Sequence, residues 1–249
     1  MYCLVLHANT FVGKVAAQAA LDRGYDLIQV GRVPWDNPPK NSFVLDTSDA
    51  KAVEDLVSRL RKDSLQVDYL ITCPSFNAKE CNADNLMVFE EFESKNWDRI
   101  IRENLNAPMQ FCKYFGKGMR ERGVGRILQL ASNVALDPHD PRHFAEIDTE
   151  FGSAHAPVAY ACAMAGVLAL TRSLAADYMD SGVLINSLVY GPLEESELEV
   201  SMNFYKNRIP LGRVMTAEDL KNVLDIFLDP GSSYITGQNL IADGGVSIW

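Results

Sequence analysis

The fold is decided by the stretch Tyr2-Cys-Leu-Val-Leu-His-Ala-Asn-Thr-Phe-Val-Gly-Lys-Val-Ala-Ala-Gln-Ala-Ala-Leu-Asp-Arg-Gly-Tyr-Asp-Leu-Ile-Gln-Val30. It contains an apolar run of strand length at Tyr2–Leu6, a run of helix composition that begins at Val12 and is closed by Gly24, and a second apolar run at Asp26–Val30. A strand, a helix of this length and a second strand form a right-handed crossover, which makes the two strands parallel.

The same alternation continues to the end of the chain. Further strands are predicted at 42–45, 67–72, 125–131, 183–189 and 239–242, with helices at 49–60, 96–119, 158–176 and 217–228. Strands separated by helices imply a parallel sheet covered on both faces. We therefore predict an α/β fold in which residues 1–249 form a single doubly wound domain with a seven-stranded parallel sheet.

Charge and composition exclude several classes of protein. The formal net charge of −10 and the isoelectric point of about 4.9 argue against nucleic acid or an anionic membrane as a partner. No run of about 18 apolar residues and no signal peptide are recognised, so a cytoplasmic location is expected. The five cysteines are an odd number without ligand-like spacing, which predicts reduced core thiols and no metal.

The segment Asn133–Pro157 is unusually long for a loop and follows the carboxyl end of a predicted strand, where such folds hold their ligands. We therefore interpret it as a lid over a ligand cleft. A metal site is the weaker interpretation, because Pro138 and Pro141 interrupt any helical spacing of its potential ligands. Those potential ligands are Asp137, His139, Asp140, His143, Asp148 and His155.

Several stretches together resemble the short-chain dehydrogenase/reductase family over nearly the whole chain. The region from Gly212 to the Asp243-Gly-Gly turn is similar to the family's C-terminal region, and Gly125–Ser132 is similar to the strand that ends in its catalytic serine. This resemblance implies a Rossmann-type fold. It also implies that Asn104, Ser132 and Tyr160 occupy the family's catalytic positions.

The fourth catalytic position of the family departs from the pattern, because Met164 stands where the family has lysine. An unperturbed tyrosine has a pKa of about 10, so only about one phenol in a thousand is ionised at neutral pH. The family's lysine lowers that pKa with its positive charge, and a thioether has no charge to do so. The resemblance thus predicts that Asn104, Ser132 and Tyr160 are present but not catalytically competent.

The nucleotide-binding turn of the family is also altered. By position, His7 and Phe11 replace its first two glycines, and only Gly13 remains. Glycines let backbone N–H groups approach a pyrophosphate closely, so side chains there disfavour a dinucleotide. Pro74 removes a backbone donor after the fourth strand. Asp46 matches the family's adenine-contacting acid or serves as a helix cap. We expect no nucleotide to be bound by this chain, with NAD(P) held in a partner subunit.

Three functions remain open. The first is a non-catalytic subunit of a heteromeric alcohol dehydrogenase that acts on a hydroxyacyl-CoA, paired with an intact homologue in a heterotetramer. That pattern is similar to hydroxybenzylsuccinyl-CoA dehydrogenase of anaerobic toluene degradation. The second is an active NAD(P)-dependent oxidoreductase with drifted motifs. The third is a nucleotide-independent enzyme resembling halohydrin dehalogenases, in which an aromatic residue such as Phe11 fills the nucleotide space.

Overall fold

The computed structural model describes residues 1–75, 89–137, 158–195 and 199–249. The strands within these ranges form one parallel sheet of seven strands in the order β3-β2-β1-β4-β5-β6-β7. The strands are β1 (Tyr2–Leu6), β2 (Asp26–Gly31), β3 (Ser42–Val44), β4 (Val67–Thr72), β5 (Gly125–Ser132), β6 (Val183–Tyr190) and β7 (Asn239–Ala242). The predicted fold class is confirmed, and every predicted strand is found within one residue of its predicted bounds.

Seven α-helices connect the described strands and loops. They are α1 (Phe11–Asp22), α2 (Ala50–Lys62), α3 (Ser94–Ile101), α4 (Ala107–Arg122), α5 (Val158–Asp177), α6 (Glu199–Arg208) and α7 (Ala217–Leu228). The single helix predicted over 96–119 is instead α3 and α4 joined by a π-helical turn, Arg102–Asn106. Helix α6 was not predicted, because its residues lack a clear apolar stripe.

The two faces of the sheet bury separate apolar clusters, because alternate strand residues point to opposite faces. Along β1, Cys3 and Val5 belong to the cluster that includes α1 and α7, whereas Leu4 and Leu6 belong to the cluster that includes α2 and α4. A third cluster joins α5 to the carboxyl end of β5. All four residues of β1 from Cys3 to Leu6 are fully buried, as a central strand of a covered parallel sheet requires.

Helix α5 differs from the expectation that no segment could span a membrane. Among the described residues it is long and apolar enough to do so, with a mean hydropathy of 1.5. Its residues Ala163, Met164 and Val167 are nevertheless buried within the domain, and the helix contacts β5 and β6. A core helix of this kind passes the same test of length and composition, so the finding is weak evidence for a membrane segment.

The described cysteines are free thiols, but they do not all lie in the core. Cys3, Cys73 and Cys112 are buried, whereas Cys162 on α5 is exposed, and Cys81 lies outside the described residues. Burial raises the pKa of the Cys112 thiol to about 12, so that thiol is protonated and unreactive at neutral pH.

Candidate functional site

The sheet changes its direction of growth between β1 and β4. The chain builds outward from β1 to β3 and then returns to pair β4 with the other side of β1. In open parallel sheets, ligands bind in the crevice outside the carboxyl ends of the strands at this switch point. The residues that follow β1, β2 and β4 therefore form the floor of the candidate site.

His7 follows β1 directly and has a left-handed backbone with φ of 56°. That conformation costs a non-glycine residue about 1–2 kcal/mol. The imidazole is only 1% exposed and is held by two hydrogen bonds, Nδ1 to the Cys73 carbonyl at 2.8 Å and Nε2 to the Thr47 hydroxyl at 3.1 Å. Because a carbonyl only accepts, Nδ1 carries the hydrogen and Nε2 accepts from Thr47.

Burial has a large effect on the His7 ring. Desolvation lowers its pKa to about 4, and the nearby positive charge of Arg32 acts in the same direction. The hydrogen bond to the Cys73 carbonyl opposes the shift. The ring is therefore neutral at physiological pH. Its two hydrogen bonds connect the end of β1 to the end of β4 and to the loop that precedes α2.

Gly13 remains a glycine because the first turn of α1 lies against β1. A Cβ atom there would lie 2.1 Å from the His7 carbonyl oxygen. The Thr10 hydroxyl donates to that same oxygen at 2.9 Å and accepts from the Gly13 N–H at 3.1 Å, so it caps the helix. The close approach of helix and strand that the family's third glycine permits is thus present.

Replacing Gly13 with alanine is expected to lower the free energy of unfolding by about 2 kcal/mol, since α1 must move away from β1 to admit the methyl group. Urea denaturation measures the loss. The matched control is Gly118→Ala on α4, where the new Cβ lies at an ordinary 3.4 Å from Arg122 and the helix gains propensity. Equal stability of the two variants would contradict the close packing at Gly13.

Phe11 is the first residue of α1 and is only partly buried. Its side chain packs against the cluster that contains Leu193 and Tyr190. Asn9, also in this turn, donates from its side chain to the Val33 carbonyl at 3.2 Å. The side chains of the turn are thus engaged with neighbouring protein atoms.

Asp46 follows β3 and stabilises the loop before α2 through hydrogen bonds to Ser48. One of its oxygens accepts from the Ser48 hydroxyl at 2.6 Å and from the Ser48 N–H at 3.0 Å. These hydrogen bonds lower the pKa of the carboxyl, with smaller contributions from Arg102 and Arg32. The cap of α2 is Asp49 and not Asp46, so the helix-cap interpretation of Asp46 is wrong.

The other half of the site lies at the carboxyl end of β5. Ser132 is the last residue of that strand, and its backbone N–H points to the Met164 sulfur at 3.4 Å. Met164 is 1% exposed and Tyr160 is 5% exposed, and both belong to the third apolar cluster. The structure therefore places Ser132, Tyr160 and Met164 in one region. The Met164 thioether, at the position of the family's lysine, contacts the backbone of Ser132.

Asn104 lies in the π-helical turn and is fully buried. Its side chain accepts from the Ser75 N–H at 2.9 Å and donates to the Ile100 carbonyl at 3.0 Å. It thereby ties the irregular turn to the end of β4. A π-helical turn is common at functional sites because it redirects side chains, although the catalytic role of Asn104 stays a prediction.

One ion pair was not anticipated from the sequence. Arg32, which follows β2, lies 2.6 Å from a carboxylate oxygen of Glu103, in the same π-helical turn as Asn104. The other oxygen of Glu103 accepts from the Ser75 hydroxyl at 3.2 Å. The sequence signals only a second pair, between Glu103 and Arg99 four residues before it on one helical face, at 3.6 Å.

The predicted lid and the alternative metal site lie largely outside the described residues. Residues 138–157, which include His139, Asp140, His143, Asp148 and His155, are not described. Asp137 is described and forms an ion pair with Arg208 of α6 at 3.0 Å. Within the described part of the chain, no group of three or more His, Cys, Asp and Glu residues could hold a metal ion.

Comparisons with known proteins identify the family. A family model described as "Enoyl-(Acyl carrier protein) reductase" matches residues 16–247. The curated 2-dehydro-3-deoxy-D-gluconate 5-dehydrogenase of Bacillus subtilis is 26% identical over 258 aligned positions, which cover 97% of this chain and 92% of that protein. The 3-oxoacyl-[acyl-carrier-protein] reductase FabG of Salmonella typhimurium is 24% identical, with coverages of 98% and 96%. The chain belongs to the short-chain dehydrogenase/reductase family.

Solved structures agree on the fold. A short-chain dehydrogenase from Leptospira borgpetersenii with bound NAD+ has a TM-score of 0.86 at 22% identity, with coverage of 99% of this chain and 92% of that one. A gluconate 5-dehydrogenase from Burkholderia cenocepacia, in complex with NADP and tartrate, has a TM-score of 0.79 at 18% identity, with coverages of 100% and 95%.

These comparisons correct the cofactor prediction. The prediction that this chain binds no nucleotide and leaves NAD(P) to a partner subunit is wrong, because its structural neighbours are family members with NAD or NADP bound. The prediction depended on the side-chain volumes of His7 and Phe11 and not on the directions of these side chains. The His7 ring is turned into the protein, and the Phe11 ring packs on the core. The halohydrin-dehalogenase alternative depended on the same prediction and falls with it.

Proposed function

We propose that this chain is a nucleotide-binding member of the short-chain dehydrogenase/reductase family whose own site transfers hydride poorly, and that it acts in the cytoplasm as a subunit of an alcohol dehydrogenase. The observation that carries the proposal is the buried Met164 sulfur at 3.4 Å from the Ser132 N–H, in the position of the family's lysine. A thioether supplies no positive charge to favour ionisation of the Tyr160 phenol.

The turn after β1 supports the proposed nucleotide binding. Its backbone keeps the left-handed conformation at His7 and the close helix approach at Gly13, and the His7 and Asn9 side chains hydrogen-bond neighbouring protein groups. The start of α1 would hold the pyrophosphate, because free N–H groups and the helix dipole favour an anion there. The nicotinamide would supply or accept the hydride, and Ser132 and Tyr160 would hydrogen-bond the substrate oxygen.

Two measurements on the purified chain test this function. Calorimetry with NAD(H) and NADP(H) should give a micromolar dissociation constant. Oxidation of the reduced nucleotides should be slow, at least about 100-fold below the 1 s⁻¹ or more that is usual for enzymes. The compounds tested as substrates are 3-oxoacyl thioesters and keto-sugar acids, the classes named for the relatives.

The variant Phe11→Glu puts a carboxylate at the start of α1, and it should weaken nucleotide binding at least tenfold.

The outcomes separate the candidates. No binding of either nucleotide at millimolar concentration would contradict the proposal. Binding with rapid turnover would instead support the active NAD(P)-dependent oxidoreductase, a second candidate favoured by the presence of Asn104, Ser132 and Tyr160 at the family positions. Lys51→Gln on α2, in an exposed ion pair, is the matched control and should change neither measurement.

The proposed partner is a catalytically intact family member in a heterotetramer, as in hydroxyacyl-CoA dehydrogenases with one degenerate subunit. Support comes from the outer face of α5, where Val158, Cys162, Ala165 and Ala169 are small or apolar and exposed. Co-expression with an intact homologue encoded nearby should yield a mixed complex, and Ala165→Arg should abolish it, whereas Ser58→Arg on exposed α2 should not. A stable complex of this chain with itself alone would contradict the heteromeric proposal.

A further inference from the structure

The Arg32–Glu103 ion pair lies at the carboxyl edge of the sheet, beside the proposed nucleotide crevice. Arg32 follows the end of β2, and Glu103 lies in the π-helical turn, where it also binds Ser75 just after β4. Because β1 lies between β2 and β4, the two side chains together span the end of β1. Neighbouring strands are about 4.8 Å apart, so β2 and β4 are roughly 10 Å apart at this edge.

Glu103 is the fixed member of this pair. It is 7% exposed, and its two oxygens contact the Arg32 guanidinium at 2.6 Å and the Ser75 hydroxyl at 3.2 Å. Arg99 lies 3.6 Å away on the same helical face. Arg32 has a side chain that is 40% exposed, so it reaches from solvent to a buried carboxylate. Leaving a buried carboxylate unpaired is costly, which favours the bridged conformation.

The end of β2 is where folds of this class read the adenosine ribose. A carboxylate there accepts from the 2′-hydroxyl of NAD, and an arginine accommodates the 2′-phosphate of NADP. In this chain the β2 position is Gly31, where a Cβ atom would lie 2.9 Å from both Asn9 and Trp35. A side chain at Gly31 would require Asn9 and Trp35 to move, and the carboxylate beside Arg32 comes instead from Glu103 in the π-helical turn.

On the strength of the proposed nucleotide binding, we propose that Glu103 determines the choice of nucleotide: it occupies Arg32 and repels a 2′-phosphate, so the chain prefers NAD(H) to NADP(H). The sequence Gly31-Arg32 taken alone would favour NADP, because an arginine there is free to bind phosphate. The carboxylate of Asp46, whose pKa is lowered in part by Arg102 and Arg32, adds a second negative charge near Arg32.

The test measures dissociation constants of NADH and NADPH for the full chain and five variants by calorimetry. Wild type should bind NADH at least tenfold more tightly than NADPH. Glu103→Gln should tighten NADPH at least tenfold and change NADH less than threefold, whereas Glu103→Asp, which keeps the charge, should retain the preference. In an Arg32→Gln background, Glu103→Gln should give a smaller gain for NADPH, because Glu103 acts through Arg32. Asp225→Asn, in the remote Arg23 ion pair, should change neither constant.

The failures are distinguishable. Wild-type preference for NADPH, or weaker NADPH binding by Glu103→Gln, would overturn the inference while leaving nucleotide binding intact. Loss of both nucleotides from the wild-type chain would overturn the proposed function and the inference with it. Melting curves of the variants separate a folding defect from a change in selectivity, and Glu103→Asp keeps the inference testable if Glu103→Gln does not fold.

Discussion

Met164→Lys is expected to raise the rate of hydride transfer about 100-fold over the parent chain. A lysine ammonium in this position would favour ionisation of the Tyr160 phenol, and a positioned acid or base contributes about 10²–10⁴-fold to a rate. Met164 is 1% exposed, so the variant is also expected to be less stable. The measurement is oxidation of NADH and NADPH with the 3-oxoacyl thioesters and keto-sugar acids.

Two further variants make this result specific. Met164→Leu has similar volume and no charge, so it should not gain activity. Tyr160→Phe in the Met164→Lys background should remove the gain, because the phenol is the group that the ammonium activates. A folded Met164→Lys chain that binds nucleotide and remains as slow as the parent would show that the missing charge is not what limits this site.

Acid is expected to destabilise the protein through His7. The pKa of His7 is about 4 in the folded chain, against about 6.5 for an unperturbed histidine, because the ring is buried beside Arg32. Between these two values the unfolded chain binds more protons than the folded chain. The contribution of His7 to the free energy of unfolding is therefore fully present above pH 6.5 and is lost as the pH falls toward 4. The loss is about 2 kcal/mol at pH 5 and about 3 kcal/mol well below pH 4.

Urea denaturation from pH 7.5 to 4.5 measures this loss, and His7→Asn isolates it from other titrating groups. Asparagine tolerates the left-handed backbone of position 7 and does not titrate in this range. The variant should lose less stability than wild type between pH 6.5 and 5. If both proteins had the same slope in that interval, the neutral buried imidazole would not be the origin of the acid sensitivity.

The inner strands were predictable because each is an apolar run that is mostly buried, whereas the edge strands β3 and β7 are only partly buried. The helices were less predictable, because the spacing of apolar residues alone does not reveal the π-helical turn Arg102–Asn106 within a continuous helical pattern. Helix α6 has mixed polar and aromatic residues, and its position depends on tertiary contacts such as Arg208 with Asp137.

The candidate site was predictable as a set of positions but not as a set of contacts. Ser132, Tyr160 and Met164 do lie in one region at the end of β5 and on α5. The direction of the His7 ring depends on its φ angle, which residue type does not reveal. The pairing of Arg32 with Glu103 joins segments far apart in sequence and requires the strand order to be known first.

The strand order also bears on how the chain is assembled during synthesis. As the protein leaves the ribosome, β2 pairs with β1, β3 with β2, β4 with β1, and each later strand with the strand made just before it. None of these seven described strands has to wait for a partner that is still to be translated. The half of the crevice made by β1, β2 and β4, including His7 and its partner Cys73, can therefore form while the Tyr160 helix is still inside the ribosomal tunnel.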